Sequence, residues 1–302
     1  MARTDSLQQS YRVLVIAGGD SRERCVSQDS GASVVAALRD SGHVVELCDP
    51  SERPGLRVAA TDWDAAFPML HGTGGEDGAL QRQLKSIGMP WVGSSEQASA
   101  LTFNKARTRD HLIFSGLPVA SGRELHTDEG PKADHLPVVV KPSSQGSSVG
   151  VSLVRNENDW ESAVRLALSM SDTAIEEEFI DGREFSVPVL NGRTLPAVEI
   201  LVADGWYDYA NKYESNETQY RVEPGDTPPE LAELARRACD VCETSGIVRV
   251  DFRVNGDGEP FVLELNTIPG MTSHSLVPMS AGAAGLSLSA LCDLCIRDLL
   301  DD

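Results

Sequence analysis

Positive charge is what this chain has least of: 26 Lys and Arg stand against 46 Asp and Glu in 302 residues, a formal charge of −20. Nucleic acid and anionic membrane surfaces are held largely by a sequence-independent attraction to cations, so this balance excludes both as partners. An anionic substrate has to be drawn in by Lys and Arg clustered in polar loops. Long apolar runs are also missing. Nothing approaches the ~18 residues of a membrane span, and the opening MARTDSLQQS lacks the apolar core of a signal peptide, so the chain reads as cytoplasmic. There is no internal repeat and no low-complexity tract. Two nucleotide fingerprints are absent as well: the Gly18-Gly19 turn is not a full GxGxxG, and no GxxxxGK[ST] opens a helix. Cysteine is sparse, with six residues at 25, 48, 239, 242, 292 and 295. Cys239/Cys242 and Cys292/Cys295 have the spacing of zinc pairs. Both lie in apolar, helix-patterned segments without a glycine-rich knuckle, so they read as small core residues on a helix face.

What is present is ample core: 41% of the residues are hydrophobic, enough for two or three globular units. Tyr11 to Ala17 is an apolar, β-branched run that ends at a glycine turn, and Val26 to Ser41 then carries helical spacing. Further strands near His43 to Cys48 and at AAFPMLHG make the first ninety or so residues an alternation of β and α, as in an open, mostly parallel sheet. From Ser94 the pattern is helical through Phe114, with Lys105 in its polar part. TAIEEEFIDGREFSVPVL reads as strand, turn and strand, and the acid run Glu176 to Glu178 as a solvated edge.

The residues from Gly246 to Ser275 carry the most chemistry. Two β-branched runs, IVRVDFRV and PFVLEL, are joined by NGDG, a reversing turn. If the hairpin closes about Asp257–Gly258, then Asp251 faces Glu264 and Arg249 faces Asn266, and alternation puts all four on one face. Two opposed acids repel unless a cation lies between them. Asp251, Glu264 and Asn266 are all oxygen donors of the kind that Mg²⁺ prefers. On these residues alone, a solvated face of an ordinary hairpin is the alternative.

Three polar loops accompany the hairpin. His71 to Gly78, HGTGGEDG, brings backbone N–H groups to the carboxyl end of a sheet, or is merely a tight connection. Ser143 to Gly150, SSQGSSVG, lies between a strand ending in Lys141 and another strand, which suits a flap over phosphates better than a linker. Trp206 to Glu223 is long, aromatic and aperiodic, as functional lids are.

With HGTGGEDG, KPSSQGSSVG, YDYANKYESNETQY and LELNTIPGMTSHSLVP in this order, the chain resembles the ATP-grasp superfamily. Within it, the chain resembles the D-alanine:D-alanine ligase family over essentially its full length. The resemblance implies an α/β fold, α+β in its C-terminal parts. Three units are expected: a Rossmann-like substrate domain over 1–93, a central ATP-grasp subdomain with the flap over 94–176, and a C-terminal subdomain with metal site and lid over 177–302. It implies ATP-dependent joining of two D-alanines through an acyl phosphate, for peptidoglycan precursors, by a homodimer. Asp251, Glu264 and Asn266 match ligands of two Mg²⁺ ions, with Mn²⁺ as the alternative metal. Lys105 and Lys141 match phosphate-binding lysines. Glu177, Glu178, Phe179 and Ile180 match the adenine contact, and Glu184 the ribose contact. Arg249 and the Gly270 N–H match groups that steady the oxyanion. Glu23 matches the residue that binds the first ammonium, joined to Ser147 and Tyr213 in a hydrogen-bonded arrangement. His71, Lys212 and Ser275 fall on the amino-acid side, the last two holding the second carboxylate.

One departure stands out: many relatives carry an acid where this chain has Cys25, which puts the local support of Glu23 in question but not Glu23 itself. D-serine or D-lactate as second substrate, and a non-catalytic nucleotide-binding paralogue, are the alternatives. Tyr213 speaks against D-lactate.

Overall fold

The computed structural model describes residues 9–52, 62–127, 133, 135–202 and 218–301. Three sheets organise them. The first is parallel, in the order β2-β1-β3, from β1 (Arg12–Ile16), β2 (Val44–Cys48) and β3 (Ala65–Pro68). A parallel bridge from Ala66 to Trp91 extends it by one position. Beyond its exposed Arg12, β1 reads as an unbroken apolar run because both faces are covered. Val13 and Val15 point into a core with α1 (Arg24–Asp40), while Leu14 and Ile16 point into another with α2 (Ala79–Ser86).

The helical stretch after Ser94 is two helices rather than one. α3 (Glu96–Phe103) and α4 (Lys105–Phe114) are separated by Asn104, whose backbone is extended at φ −91° and ψ 101° and whose side chain accepts from the Arg107 N–H. Asparagine is a favoured N-cap, and that local preference overrides the continuous pattern. Lys105 thereby becomes the first residue of a helix.

The second sheet is antiparallel, in the order β4-β7-β5-β6: β4 (Gly122–Leu125), β5 (Val138–Pro142), β6 (Ser152–Val154) and β7 (Ala174–Glu178). Helix α5 (Glu157–Leu168) covers it, with Trp160 at the centre of the core. The third sheet runs β11-β10-β8-β12-β13, from β8 (Gly182–Leu190), β10 (Val198–Leu201), β11 (Gln219–Val222), β12 (Ile247–Asn255) and β13 (Pro260–Asn266), with the short β9 (Arg193–Thr194) paired to β8. Phe185, Val187, Val250 and Phe252 turn one face of it onto α6 (Glu230–Val241). The strand, turn and strand expected over 173–190 form, with β7 and β8 in different sheets and residues 179–181 crossing from one to the other.

The last two helices, α7 (Leu276–Ala283) and α8 (Leu288–Leu300), return to the beginning of the chain. Leu291, Cys292, Cys295 and Ile296 share a core with Val34 and Leu38 of α1, and His43 meets Asp293 at 2.9 Å. Cys239 and Cys242 lie in the core beneath the third sheet instead, so the two cysteine pairs are parts of separate cores. Burial pushes the Cys239 thiol up to about 11 and those of Cys242 and Cys292 up to about 12, as for inert core residues. Among the described residues no single helix is long and apolar enough to cross a membrane; α7 and α8 reach that composition only together, across a 96° bend.

Candidate active site

The hairpin of β12 and β13 pairs Arg249 with Asn266 and Asp251 with Glu264, as its sequence requires, but by a different route. The turn centres on Asp257, with the Asn255 N–H bonded to the Glu259 carbonyl and Gly258 at φ +85°. A bulge at Leu263 then adds the one residue that brings the two acids opposite each other. Arg249 forks onto both oxygens of Asp251 at 2.7 to 3.2 Å, and Ser186 of β8 donates to Asp251 Oδ1 at 2.7 Å. Lys105 Nζ lies 3.1 Å from Glu264 Oε2. Among the described residues no group of three His, Cys, Asp or Glu is placed to hold a metal. The set here is two carboxylates and the Asn266 amide, an all-oxygen arrangement that fits a hard divalent cation.

The flap, residues 143–150, closes over this face and is tied down at both ends. Lys105 holds it twice, through its N–H to the Ser143 carbonyl and its Nζ to the Gln145 carbonyl, each at 2.7 Å. At its tip, Ser147 and Ser148 take positive φ angles of 52° and 55°, a backbone state that non-glycine residues adopt at a cost. There the Ser147 hydroxyl donates to Glu23 Oε1. Lys141 Nζ, at the root of the flap, pairs with Glu177 at 2.7 Å.

Glu23 comes from the turn into α1, and two loops have been cleared of side chains to receive it. A Cβ on Gly72 would sit 2.5 Å from Glu23 Oε2, and one on Gly146 would sit 2.6 Å from it. Gly72 also takes φ +75°, which explains a glycine in HGTGGEDG; at Gly146 a side chain would displace the Glu23 carboxylate from where it now lies. Burial pushes the Glu23 carboxyl up and the charge of Glu76 adds to this; the Ser147 hydrogen bond, His71 and Lys105 oppose it, leaving the group above the ordinary 4.5. His71 is buried, 3.6 Å from Glu76 Oε1 and 3.4 Å from Ser30 Oγ. Ser30 in turn accepts from the Met271 N–H at 3.2 Å, which links α1 to the loop after β13. In that loop Gly270 leaves room for Ser275, whose Oγ would stand 2.8 Å from a Cβ there and which accepts from the Thr272 N–H at 3.1 Å.

The Gly18-Gly19 turn does bind an anion, but the anion belongs to the chain. Asp49, just past β2, accepts from the Gly19 N–H at 2.9 Å and pairs with Arg24 at 2.7 Å, and a Cβ on Gly18 would meet its carboxylate at 2.1 Å. Burial alone would push the Asp49 carboxyl up; its hydrogen bonds from Gly19, Ser51 and Arg24 outweigh that and hold it below the usual range. Arg24 so anchored fixes the loop that carries Glu23. Cys25 is exposed and does not line the cavity, so Glu23 is supported by Ser147 and its glycine cradle rather than by position 25.

At the other end, the segment that crosses between the sheets supplies Phe179 and Ile180. The acids before it are not a solvated edge. Glu176 is 7% exposed and takes hydrogen bonds from Trp160 Nε1 and Arg123, and Glu177 is also 7% exposed, paired with Lys141; only Glu178 is exposed, against Ser121. The buried pair was hidden in the sequence because its partners are 16 and more residues away. Sequence reasoning also passed over Arg253, although the alternation that singled out Arg249 and Asp251 puts it on the same face, and Glu76, which lies inside a loop already singled out.

All the described candidate residues line one cavity of about 380 Å³: Glu23, His71, Lys105, Lys141, Ser147, Glu177, Glu178, Phe179, Ile180, Glu184, Arg249, Asp251, Glu264, Asn266, Gly270 and Ser275. Lys212 and Tyr213 lie outside the described residues. One end of the cavity is charged, around the acid pair and the lysines. The other is walled by apolar groups such as Val139, Ile180, Ile200 and Leu265. A ligand with an aromatic head and a polyanionic tail matches that division.

A family model described as D-ala D-ala ligase C-terminus matches residues 120–297. A D-alanine–D-alanine ligase of Neisseria meningitidis serogroup B is 41% identical over 294 residues, covering 95% of this chain and 97% of that protein. One of Mannheimia succiniciproducens is 40% identical over 295 residues, covering 94% and 96%. Among solved structures, the D-alanine–D-alanine ligase from Bacillus anthracis complexed with ATP superposes with a TM-score of 0.83 at 31% identity, covering 96% of this chain and 97% of that one.

Proposed function

The chain belongs to the D-alanine–D-alanine ligase family and has its ATP-grasp fold, and from that premise we propose that its cavity joins two D-alanines at the expense of ATP, for peptidoglycan precursors. A carboxylate oxygen of the first D-alanine attacks the γ-phosphorus of ATP and ADP leaves, giving an acyl phosphate. The amine of the second D-alanine then attacks the acyl carbon, loses a proton and expels phosphate. The observation that carries this reading is the single cavity in which the charged hairpin, the flap, Glu23 and the inter-sheet segment converge.

Each residue has a part to play. Lys105 and Lys141 draw in the phosphates against the −20 charge of the whole chain. Glu23 takes the ammonium of the first D-alanine, so the hydroxyl of Ser147 reports through it whether the flap is down over bound amino acid. Glu177 to Ile180 meet the adenine and Glu184 the ribose. His71 flanks the first D-alanine; Ser275, with Lys212, receives the carboxylate of the second. The Gly270 N–H and Arg249 face the tetrahedral oxyanion, where one well-aimed donor contributes about 3 kcal/mol. Asp251, Glu264 and Asn266 would hold two Mg²⁺ ions, which supply Lewis-acid neutralisation of phosphate charge. On the same reading, the three sheets are the cores of a substrate domain and two ATP-grasp subdomains, and the protein is a cytoplasmic homodimer.

The test is a competition. With ATP, Mg²⁺, D-alanine and an equal concentration of D-lactate or D-serine, mass analysis is expected to find D-alanyl-D-alanine as the main product. A dominant ester, or D-alanyl-D-serine, would overturn the assignment of the second substrate.

A further inference from the structure

Arg253 is a cation at the wrong end of the cavity for a phosphate. It is 6% exposed, lies on β12 two residues beyond Asp251, and stands opposite Glu184 in the pairing of β12 with β8. Three of its contacts go to the segment that crosses between the sheets and to the start of β8. The guanidinium carbon lies 5.3 Å from the Phe179 ring centroid, Nη1 donates to the Gly182 carbonyl at 2.9 Å, and Nε lies 3.6 Å from Glu184 Oε2. Gly182 has no freedom to grow, since a Cβ there would meet the Val254 carbonyl at 2.0 Å. One planar guanidinium thus stacks on one end of the crossing segment, bonds the other, and balances the first acid beyond it. Lysine could not do all three, because its charge is a point and has no plane to stack or fork to share.

We infer that Arg253 is a positioning residue for the nucleoside half of the nucleotide. It sets Phe179 and the 179–182 backbone for the base, and it holds the Glu184 side chain at the place where a ribose hydroxyl would meet its carboxylate. Buried against Glu184, it is a fixed partner rather than a phosphate ligand. The inference rests on the proposed ligase reading for the placement of ATP, and it adds to that reading a residue that touches neither the phosphates nor the amino acids.

The test compares Arg253→Met and Arg253→Lys with the wild type, using ATP, 2′-deoxy-ATP and 3′-deoxy-ATP. Arg253→Met is expected to raise KM for ATP about tenfold or more while kcat and KM for D-alanine change less than about threefold. It is also expected to reduce by about fivefold or more the preference for ATP over whichever deoxy nucleotide the wild type discriminates against, because the misplaced Glu184 no longer reads the hydroxyl. Arg253→Lys should recover part of both effects. Glu184→Gln combined with Arg253→Met should be little worse than either alone, since the two residues act as one unit. An unchanged KM for ATP, unchanged ribose discrimination, or a parallel fall in kcat and D-alanine affinity would overturn the inference. If Arg253→Met fails to fold by circular dichroism, Arg253→Lys carries the same comparison. If the wild type shows no D-alanine-dependent turnover, the ligase reading fails, and calorimetric affinities for the three nucleotides still decide the role of Arg253.

Discussion

Glu23 shows what a single residue needs from three distant loops. It sits between two glycines that leave room for its carboxylate and under a serine that donates to it, with Glu76 close enough to resist its ionisation. The sign follows from the raised carboxyl: the charged form that would hold an ammonium is lost as pH falls, and the loss begins above the ordinary 4.5. KM for the first D-alanine is therefore expected to climb as the pH is lowered toward that range, in steady-state kinetics run at saturating ATP. Glu23→Gln should show a high KM and no such climb; an equal climb in the variant would assign the titration to another group. Asp251, Glu264 and Asn266 were legible from strand alternation and Lys141 from its place beside the flap, whereas Glu23 and Glu184 came only from the family resemblance. Long-range partners were not legible. That Glu176 needs Trp160 and Arg123, or that Asp49 fills the Gly18-Gly19 turn, depends on pairings across many residues that periodicity does not encode.

At the scale of elements, the hairpin was legible because strand alternation is a local rule and NGDG is a strong turn signal. It was right in register through two departures that cancel, a turn one residue off centre and a bulge that puts the residue back. The helical pattern through Phe114 is divided where Asn104 caps a new helix, and the strand, turn and strand expected over 173–190 form but enter different sheets, a pairing that the local pattern does not state. Both details lie on the cavity wall, where one puts Lys105 at a helix start and the other puts Phe179 and Ile180 between the sheets. The flap depends on a glycine in the same way. Gly146→Ala places a methyl against the Glu23 carboxylate, so either the loop lifts or the carboxylate turns aside, and each displaces the group from its place under Ser147. Its KM for D-alanine is expected to rise about tenfold or more, ~1.4 kcal/mol, with thermal unfolding little changed; a variant with wild-type KM would show that the flap does not close on Glu23.

For the whole molecule, composition spoke clearly of what to leave out and the order of four motifs spoke of the fold. The return of the C-terminal helix α8 onto α1 was illegible, since an amphipathic helix states which face it buries and not against what. That return matters: it puts the loop with Gly270 and Ser275 next to Ser30 and His71, so elements from the two ends of the chain meet at the cavity wall. A chain of −20 charge that still gathers Lys105, Lys141 and Arg249 in one cleft, each beside a carboxylate, is built to receive a polyanion there. The most direct test of this account is phosphate release from ATP and Mg²⁺ with D-alanine against L-alanine. Release that depends on D-alanine, saturates with it and is absent with L-alanine is the predicted result. Release indifferent to the amino acid, or none with D-alanine at millimolar concentration, would contradict it.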